Sequence, residues 1–107
     1  MKSVLTRKEK KSLQVRALSS LLELTVNSKS TEEIFSQNAI AWNIPTRSEY
    51  GKTISQTDIP LLLDNYARRK LVNKYRTVNG YKESHHVYYR ANLERLDEIK
   101  EEIKKHN

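Results

Sequence analysis

The spacing of apolar residues near the N-terminus predicts two helices. Thr6 and Glu9 form a capping box, and the apolar residues after it recur every three or four positions, which predicts a helix over about residues 7–26. Ser30 opens a second capping box of the same kind. A second helix is therefore expected to run from this box to about residue 40.

The third predicted helix has a proline close to its start. Pro60 is tolerated only within a first turn, where its missing N–H has no partner to lose, so Thr57 or Asp58 is the expected N-cap. The helix is expected to end near Lys70. One of its faces is apolar. The opposite face carries Thr57, Leu61, Asp64, Asn65 and Arg68.

Beyond the third helix the hydrophobic period changes to two, which is typical of strands. Segments 71–78 and 81–89 are rich in Val and Tyr, and Asn79-Gly80 between them is a strong hairpin signal. A two-residue turn at this point predicts a definite register. The predicted pairs are Val78 with Tyr81, Arg76 with Glu83, Lys74 with His85 and Val72 with Val87.

The last amphipathic segment predicts a helix over residues 92–106, capped by Asn92. An isolated helix of this length is marginal in water, so its narrow apolar stripe must be covered. It could pack on the first helix of its own subunit, or pair with the same helix of a second subunit. We favour the second arrangement, a homodimer. The predicted dimer interface is Leu93, Leu96, Ile99 and Ile103.

Composition limits the chain, residues 1–107, to a single small domain with hardly any room for a deep catalytic cleft. No Cys and only three His argue against a disulfide framework or a metal site. No catalytic constellation, cofactor motif or small-molecule effector site is evident, so an enzyme is not expected. The longest apolar runs are about five residues, against the roughly 20 that a membrane span needs, and the expected location is cytoplasmic.

The net charge of +7 is concentrated in two blocks. Residues 1–16, which include a basic N-terminal segment (1–12), and residues 64–90 each carry +5. Residues 17–63 and 91–107 carry −2 and −1. Localised positive potential commonly serves a polyanion, nucleic acid first and anionic lipid second.

The order of predicted elements, three helices, a hairpin and a fourth helix, resembles a winged helix-turn-helix domain. The motif L-x-x-Y-x-x-x-K-L-V at residues 63–72 is similar to the junction between recognition helix and wing in that family, and V-Y-Y at residues 87–89 resembles its returning strand. Lys70 stands where the family often has Gly. The resemblance covers about residues 10–92. It implies a mainly α fold with a three-helix core, a small β-hairpin as wing and a C-terminal helix.

The resemblance also implies a sequence-preferring double-stranded DNA-binding protein, and we interpret it as a transcriptional regulator of a prokaryote, plasmid or virus. A replication or partition protein and a protein-interaction winged helix are the alternatives. The third helix would lie in the major groove, with the wing along the backbone or the adjacent minor groove. The candidate base-reading residues are Thr57, Leu61, Asn65 and Arg68. The candidate backbone contacts are Lys8, Lys10, Lys11, Arg16, Arg47, Lys52, Arg69, Lys74, Arg76 and Lys82.

Three further expectations concern side chains near this surface. Leu61 could contact a thymine methyl group or a protein partner, and the sequence does not separate the two. Asp64 would repel phosphate and is interpreted as orienting Arg68, one turn further on. The segment 43–53 is longer than the turn of a compact helix-turn-helix. The aromatic and aliphatic residues expected to pack it onto the core are Trp42, Ile44 and Tyr50.

Overall fold

A long N-terminal helix, α1 (Arg7–Val26), is the element on which the others pack in the computed structural model, which describes residues 7–44, 56–75 and 87–106. It has the predicted bounds. Four of its buried apolar side chains form one stripe, as expected for a helix that directs one face into a core. They are Leu13, Ala17, Leu18 and Leu21.

The second helix begins later than predicted. A two-residue strand, β1 (Phe35–Ser36), precedes it, and α2 (Gln37–Asn43) starts at the N-cap Ser36, whose hydroxyl accepts a hydrogen bond from the Ala39 amide. The prediction of a helix from Ser30 is therefore wrong.

The capping box at Ser30 nevertheless makes local bonds. The Ser30 hydroxyl accepts from the Glu32 amide at 3.1 Å, and the Glu33 carboxylate accepts from the Lys29 amide at 3.1 Å. The turn does not continue into a helix because Phe35 pairs with β3 in the sheet and is buried there. Tertiary packing here outweighs a local signal that contributes only about 1 kcal/mol.

The third helix matches its prediction closely. A 3₁₀ turn (Gln56–Asp58) leads into α3 (Ile59–Arg68), with Asp58 as N-cap and Pro60 in the first turn. The predicted apolar face is the buried one. Its fully or almost fully buried members are Ile59, Leu62, Leu63 and Tyr66.

The end of α3 is a Schellman motif with a lysine in the glycine position. Lys70 has φ 65°, its amide donates to the Ala67 carbonyl, and the Leu71 amide donates to the Tyr66 carbonyl at 3.0 Å. The left-handed conformation costs a non-glycine residue about 1 to 2 kcal/mol. The junction therefore has the tight geometry of a Schellman motif, although the residue at the left-handed position is lysine.

The sheet has the strand order β1-β3-β2 and is antiparallel throughout, with β2 at Val72–Tyr75 and β3 at Tyr88–Ala91. Val72 lies opposite Ala91, and Lys74 opposite Tyr89. The predicted pairs Val72 with Val87 and Lys74 with His85 are therefore wrong by four residues. The other two predicted pairs lie outside the described residues.

The shift of four residues has a simple origin. Side chains alternate with a period of two, so an even shift keeps the same faces inward and leaves the hydrophobic pattern unchanged. The register is held by bonds from outside the hairpin. The Ala91 amide donates to the Thr25 hydroxyl of α1 at 3.0 Å, and the Arg90 guanidinium donates to the Glu33 carbonyl at 2.9 Å.

The terminal helix is packed within its own subunit. Asn92 caps a 3₁₀ turn (Leu93–Arg95) that continues into α4 (Leu96–Lys105), and α4 lies against α1. Ile99 is completely buried, and Ile103 packs against the same core. Of the predicted dimer interface, this leaves Leu93, which is 41% exposed, and the partly exposed Leu96 at the surface.

The packing predicted for the residues at and beyond the end of α2 is confirmed for Ile44 and wrong for Trp42. Ile44 is buried, whereas Trp42 is 87% exposed; Tyr50 lies outside the described residues. The amide of Asn43 donates to the Ser20 hydroxyl of α1 at 3.1 Å, which fixes the inner side of α2. At 100° per residue, Trp42 is consequently turned away from the core.

Candidate nucleic-acid interface

The exposed face of α3 presents together the residues predicted to read bases. Leu61, Asn65 and Arg68 are spaced by four and three residues and therefore lie on one side of α3, and Thr57 precedes them in the 3₁₀ turn. Thr57 and Arg68 are exposed, Asn65 is half-buried, and the Leu61 side chain is 69% exposed. The face thus offers a hydroxyl, a methyl-bearing side chain, an amide and a guanidinium, which are groups able to contact base edges.

The carboxylate of Asp64, on the same helix, forms an ion pair with a residue of β2. The Lys74 ammonium lies 2.9 Å from its carboxylate, and the Tyr89 hydroxyl donates to the same oxygen at 3.5 Å. The interpretation that Asp64 orients Arg68 is therefore wrong. Lys74, a predicted phosphate contact, is paired with a partly exposed carboxylate of its own chain.

A second internal pairing, which we call the carboxylate clamp, joins α1, α3 and α4. Glu102 of α4 is only 7% exposed, and its carboxylate lies 2.8 Å from the Lys11 ammonium and 3.2 Å from Arg69 Nη2. His106 Nε2 lies 3.6 Å away from the same carboxylate. The ring of Tyr66 lies under both cations, with Lys11 Nζ at 5.6 Å and Arg69 Cζ at 5.7 Å from its centroid.

Burial and the charges of the clamp shift two pKa values in opposite directions. Burial alone would raise the pKa of Glu102, but the hydrogen bonds and charges of Lys11 and Arg69 outweigh it and lower the pKa to about 2. Burial, followed by the negative charge of Glu102, raises the pKa of the Tyr66 hydroxyl well above its usual value. At neutral pH the clamp is therefore an ionised carboxylate beside a neutral phenol.

Sequence reasoning missed Glu102 because charged residues surround it on α4. A positional signal was present: Glu102 follows the buried Ile99 by three residues, so it shares the inner face of the helix. Its burial assigns Lys11 and Arg69, both predicted phosphate contacts, to an internal ion cluster.

The remaining residues predicted to contact the DNA backbone fall into two groups, those in α1 and those outside the described residues. Within α1, Lys10 is exposed, Arg16 is half-buried, and Lys8 belongs to the first turns of the helix. The others lie outside the described residues. They are Arg47, Lys52, Arg76 and Lys82.

Comparisons with known proteins do not identify a family. No family model matches the chain, and no curated protein or solved structure matches it either. Within residues 7–44, 56–75 and 87–106, no helix is long and apolar enough to cross a bilayer, and no cluster of potential metal ligands occurs.

Proposed function

We propose that the protein binds double-stranded DNA with sequence preference and acts as a transcriptional regulator. The observation that carries the proposal is the exposed face of α3, on which Leu61, Asn65 and Arg68 stand together. Asn65 and Arg68 lie within the block of residues 64–90 that carries +5 in the sequence, and Leu61 precedes it. Exposed hydrogen-bonding groups on one helix, with the exposed cations Arg68 and Lys70 beside them, suit insertion into a major groove.

We further propose that the fold is a winged helix. The order of the elements, with α3 followed directly by an antiparallel strand pair, supports this proposal. The left-handed turn at Lys70 supports it as well, because it brings β2 back against the end of α3 within one residue. In this arrangement α3 is the recognition helix, and β2 and β3 form the base of the wing.

Two exposed apolar side chains favour a second candidate function, the protein-interaction winged helix. Leu61 and Trp42 expose most of their surface, and contact with a protein partner would remove that apolar area from water. Leu61 belongs to the proposed base-reading face, whereas Trp42 stands on α2. A replication or partition protein would use the same α3 surface and differ in the site bound.

Salt dependence of binding to duplex DNA tests the proposal. With about five phosphate contacts, the logarithm of affinity should fall with the logarithm of salt concentration at a slope of about −4 to −5. Fluorescence anisotropy with a labelled mixed-sequence duplex measures it, and selection of sites from a random duplex library measures the preference. A slope near zero would contradict DNA binding and favour the protein partner.

The homodimer remains a proposal and has a smaller surface than the sequence suggested. Because Ile99 lies in the core of its own subunit, a second copy would have to dock on Leu93 and Leu96. Two-fold pairing there would double the number of base pairs contacted.

A further inference from the structure

Lys70 combines an unfavourable backbone conformation with an exposed charge. Among the described residues it is the non-glycine residue with positive φ, at 65°, and its side chain is exposed at the junction of α3 and β2. Glycine would adopt this conformation without steric cost, and the Schellman motif usually has it. A lysine therefore stands at a position where the backbone favours a residue with no side chain.

The surrounding hydrogen bonds impose the conformation on whatever residue stands at position 70. The Asn92 side-chain amide donates to the Lys70 carbonyl at 2.8 Å, and the Asn92 backbone amide donates to the Leu71 carbonyl at 2.9 Å. On the other side, the Leu71 amide is bonded to the Tyr66 carbonyl. Backbone strain that the surroundings over-determine is typical of functional sites.

The cations around this junction differ in whether a carboxylate neutralises them. Arg69 is paired with Glu102, and Lys74 with Asp64. Arg68 and Lys70 are exposed and make no ion pair with the described part of the chain. Lys70 thus belongs with Arg68, which extends the exposed cationic surface from the proposed reading face to the start of the wing.

We propose that Lys70 contacts a backbone phosphate of double-stranded DNA and that the lysine is retained, despite the strain, for this charge. The inference rests on the proposed function and adds to it a residue outside the predicted phosphate contacts. Lysine suits a phosphate as a point charge, without base preference. A contact at this junction would fix the position of α3 relative to the strand that leads into the wing.

Three substitutions at position 70 separate the charge from the strain. Lys70→Gly removes both, Lys70→Asn removes the charge with a residue that tolerates positive φ, and Lys70→Arg keeps the charge. Lys104→Gln is the matched control, because Lys104 is also an exposed lysine near the C-terminal end of a helix, α4, away from the proposed DNA-binding surface. Binding is measured by anisotropy on a labelled mixed-sequence duplex between about 50 and 200 mM salt.

We expect Lys70→Gly to be more stable than wild type and yet to bind DNA more weakly. Relief of strain should raise Tm by about 5 °C, while loss of one phosphate contact should make the salt slope less negative by about 0.9. Lys70→Asn should show the same change of slope, and Lys70→Arg and Lys104→Gln should keep the wild-type slope.

The outcomes that would contradict this inference can be told apart from those that would contradict the proposed function. If wild type binds the duplex and the glycine and asparagine variants keep its slope, Lys70 serves only the helix dipole and this inference fails alone. An equal change of slope in Lys104→Gln would likewise overturn it, because the effect would then be one of net charge. Lys70→Gly without a rise in Tm would contradict the strain argument. If wild type does not bind the duplex, the proposed function fails and this inference fails with it.

Discussion

The carboxylate clamp and the exposed face of α3 contain the same kinds of basic residue, but they use them differently. In the clamp, Lys11 and Arg69 are bound to a buried carboxylate and lie over an aromatic ring. On the exposed face, Arg68 makes no ion pair with the described part of the chain. Formal charge along a sequence therefore overstates the charge that a protein can offer to a partner.

The neighbouring residues Arg68 and Arg69 show how local the difference is. A step of one residue along a helix turns the side chain by about 100°, which separates the outer face of α3 from the side that meets α1 and α4. Arg69 follows Tyr66 by three residues and so lies over its ring, whereas Arg68 follows Leu61 by seven and shares its exposure. The same chemistry serves stability at one position and is available for binding at the next.

Removing the carboxylate of the clamp should have the largest effect. Glu102→Gln keeps the shape of the side chain but leaves Lys11 and Arg69 without their counter-ion, and we expect a loss of about 2 to 4 kcal/mol in the free energy of unfolding. Both cations are partly exposed and can regain water, so the lower half of that range is expected.

Urea denaturation measures this loss, and Glu101→Gln is the control. Glu101 is the exposed neighbour of Glu102 on the same helix, so its substitution should change stability by less than about 0.5 kcal/mol. Equal effects of the two substitutions would show that the clamp contributes no more than a surface charge.

The pH dependence of the free energy of unfolding should reflect the ionised carboxylate of the clamp. The folded-state pKa of Glu102 is lowered from 4.5 to about 2, so its contribution is complete above pH 4.5 and is lost as the pH falls towards 2. The contribution is on the order of 2 to 3 kcal/mol at neutral pH. Wild type and Glu102→Gln should therefore become more alike in stability on acidification, in denaturation series at several pH values. A difference that stays constant with pH would contradict the ionised state of the buried carboxylate.

The two neighbouring arginines provide the finest test of the comparison. On selected duplex sites, Arg68→Ala should reduce discrimination at one base pair by about 1 to 3 kcal/mol, because the substitution removes the guanidinium proposed to contact a base edge. Arg69→Ala should lower stability through the clamp and leave the ranking of sites unchanged. If Arg69→Ala changes site preference and Arg68→Ala does not, the assignment of the exposed face is reversed.

Helix periodicity by itself determined most of the mainly helical architecture. The bounds of α1, the buried face of α3 and the cap at Asn92 all follow from side-chain spacing and local hydrogen-bonding chemistry, which act within a few residues. The grouping of the candidate reading residues on one exposed face follows from the same spacing. Local interactions are sufficient for these features because each can form without a distant partner.

Tertiary contacts alone decided the features that depend on residues far apart in the chain. Phe35 is a strand residue because it pairs with β3. The register of β2 and β3 differs from the predicted one by four residues because β3 is hydrogen-bonded to α1 and to the turn before β1. These contacts select one register among several that fit the hydrophobic pattern equally well. The pairing of Lys11 and Arg69 with Glu102 joins three helices. The spacing of residues along the sequence does not indicate which opposite charges will meet in the folded chain. Which cations remain exposed for a ligand is therefore decided only when the helices are packed together.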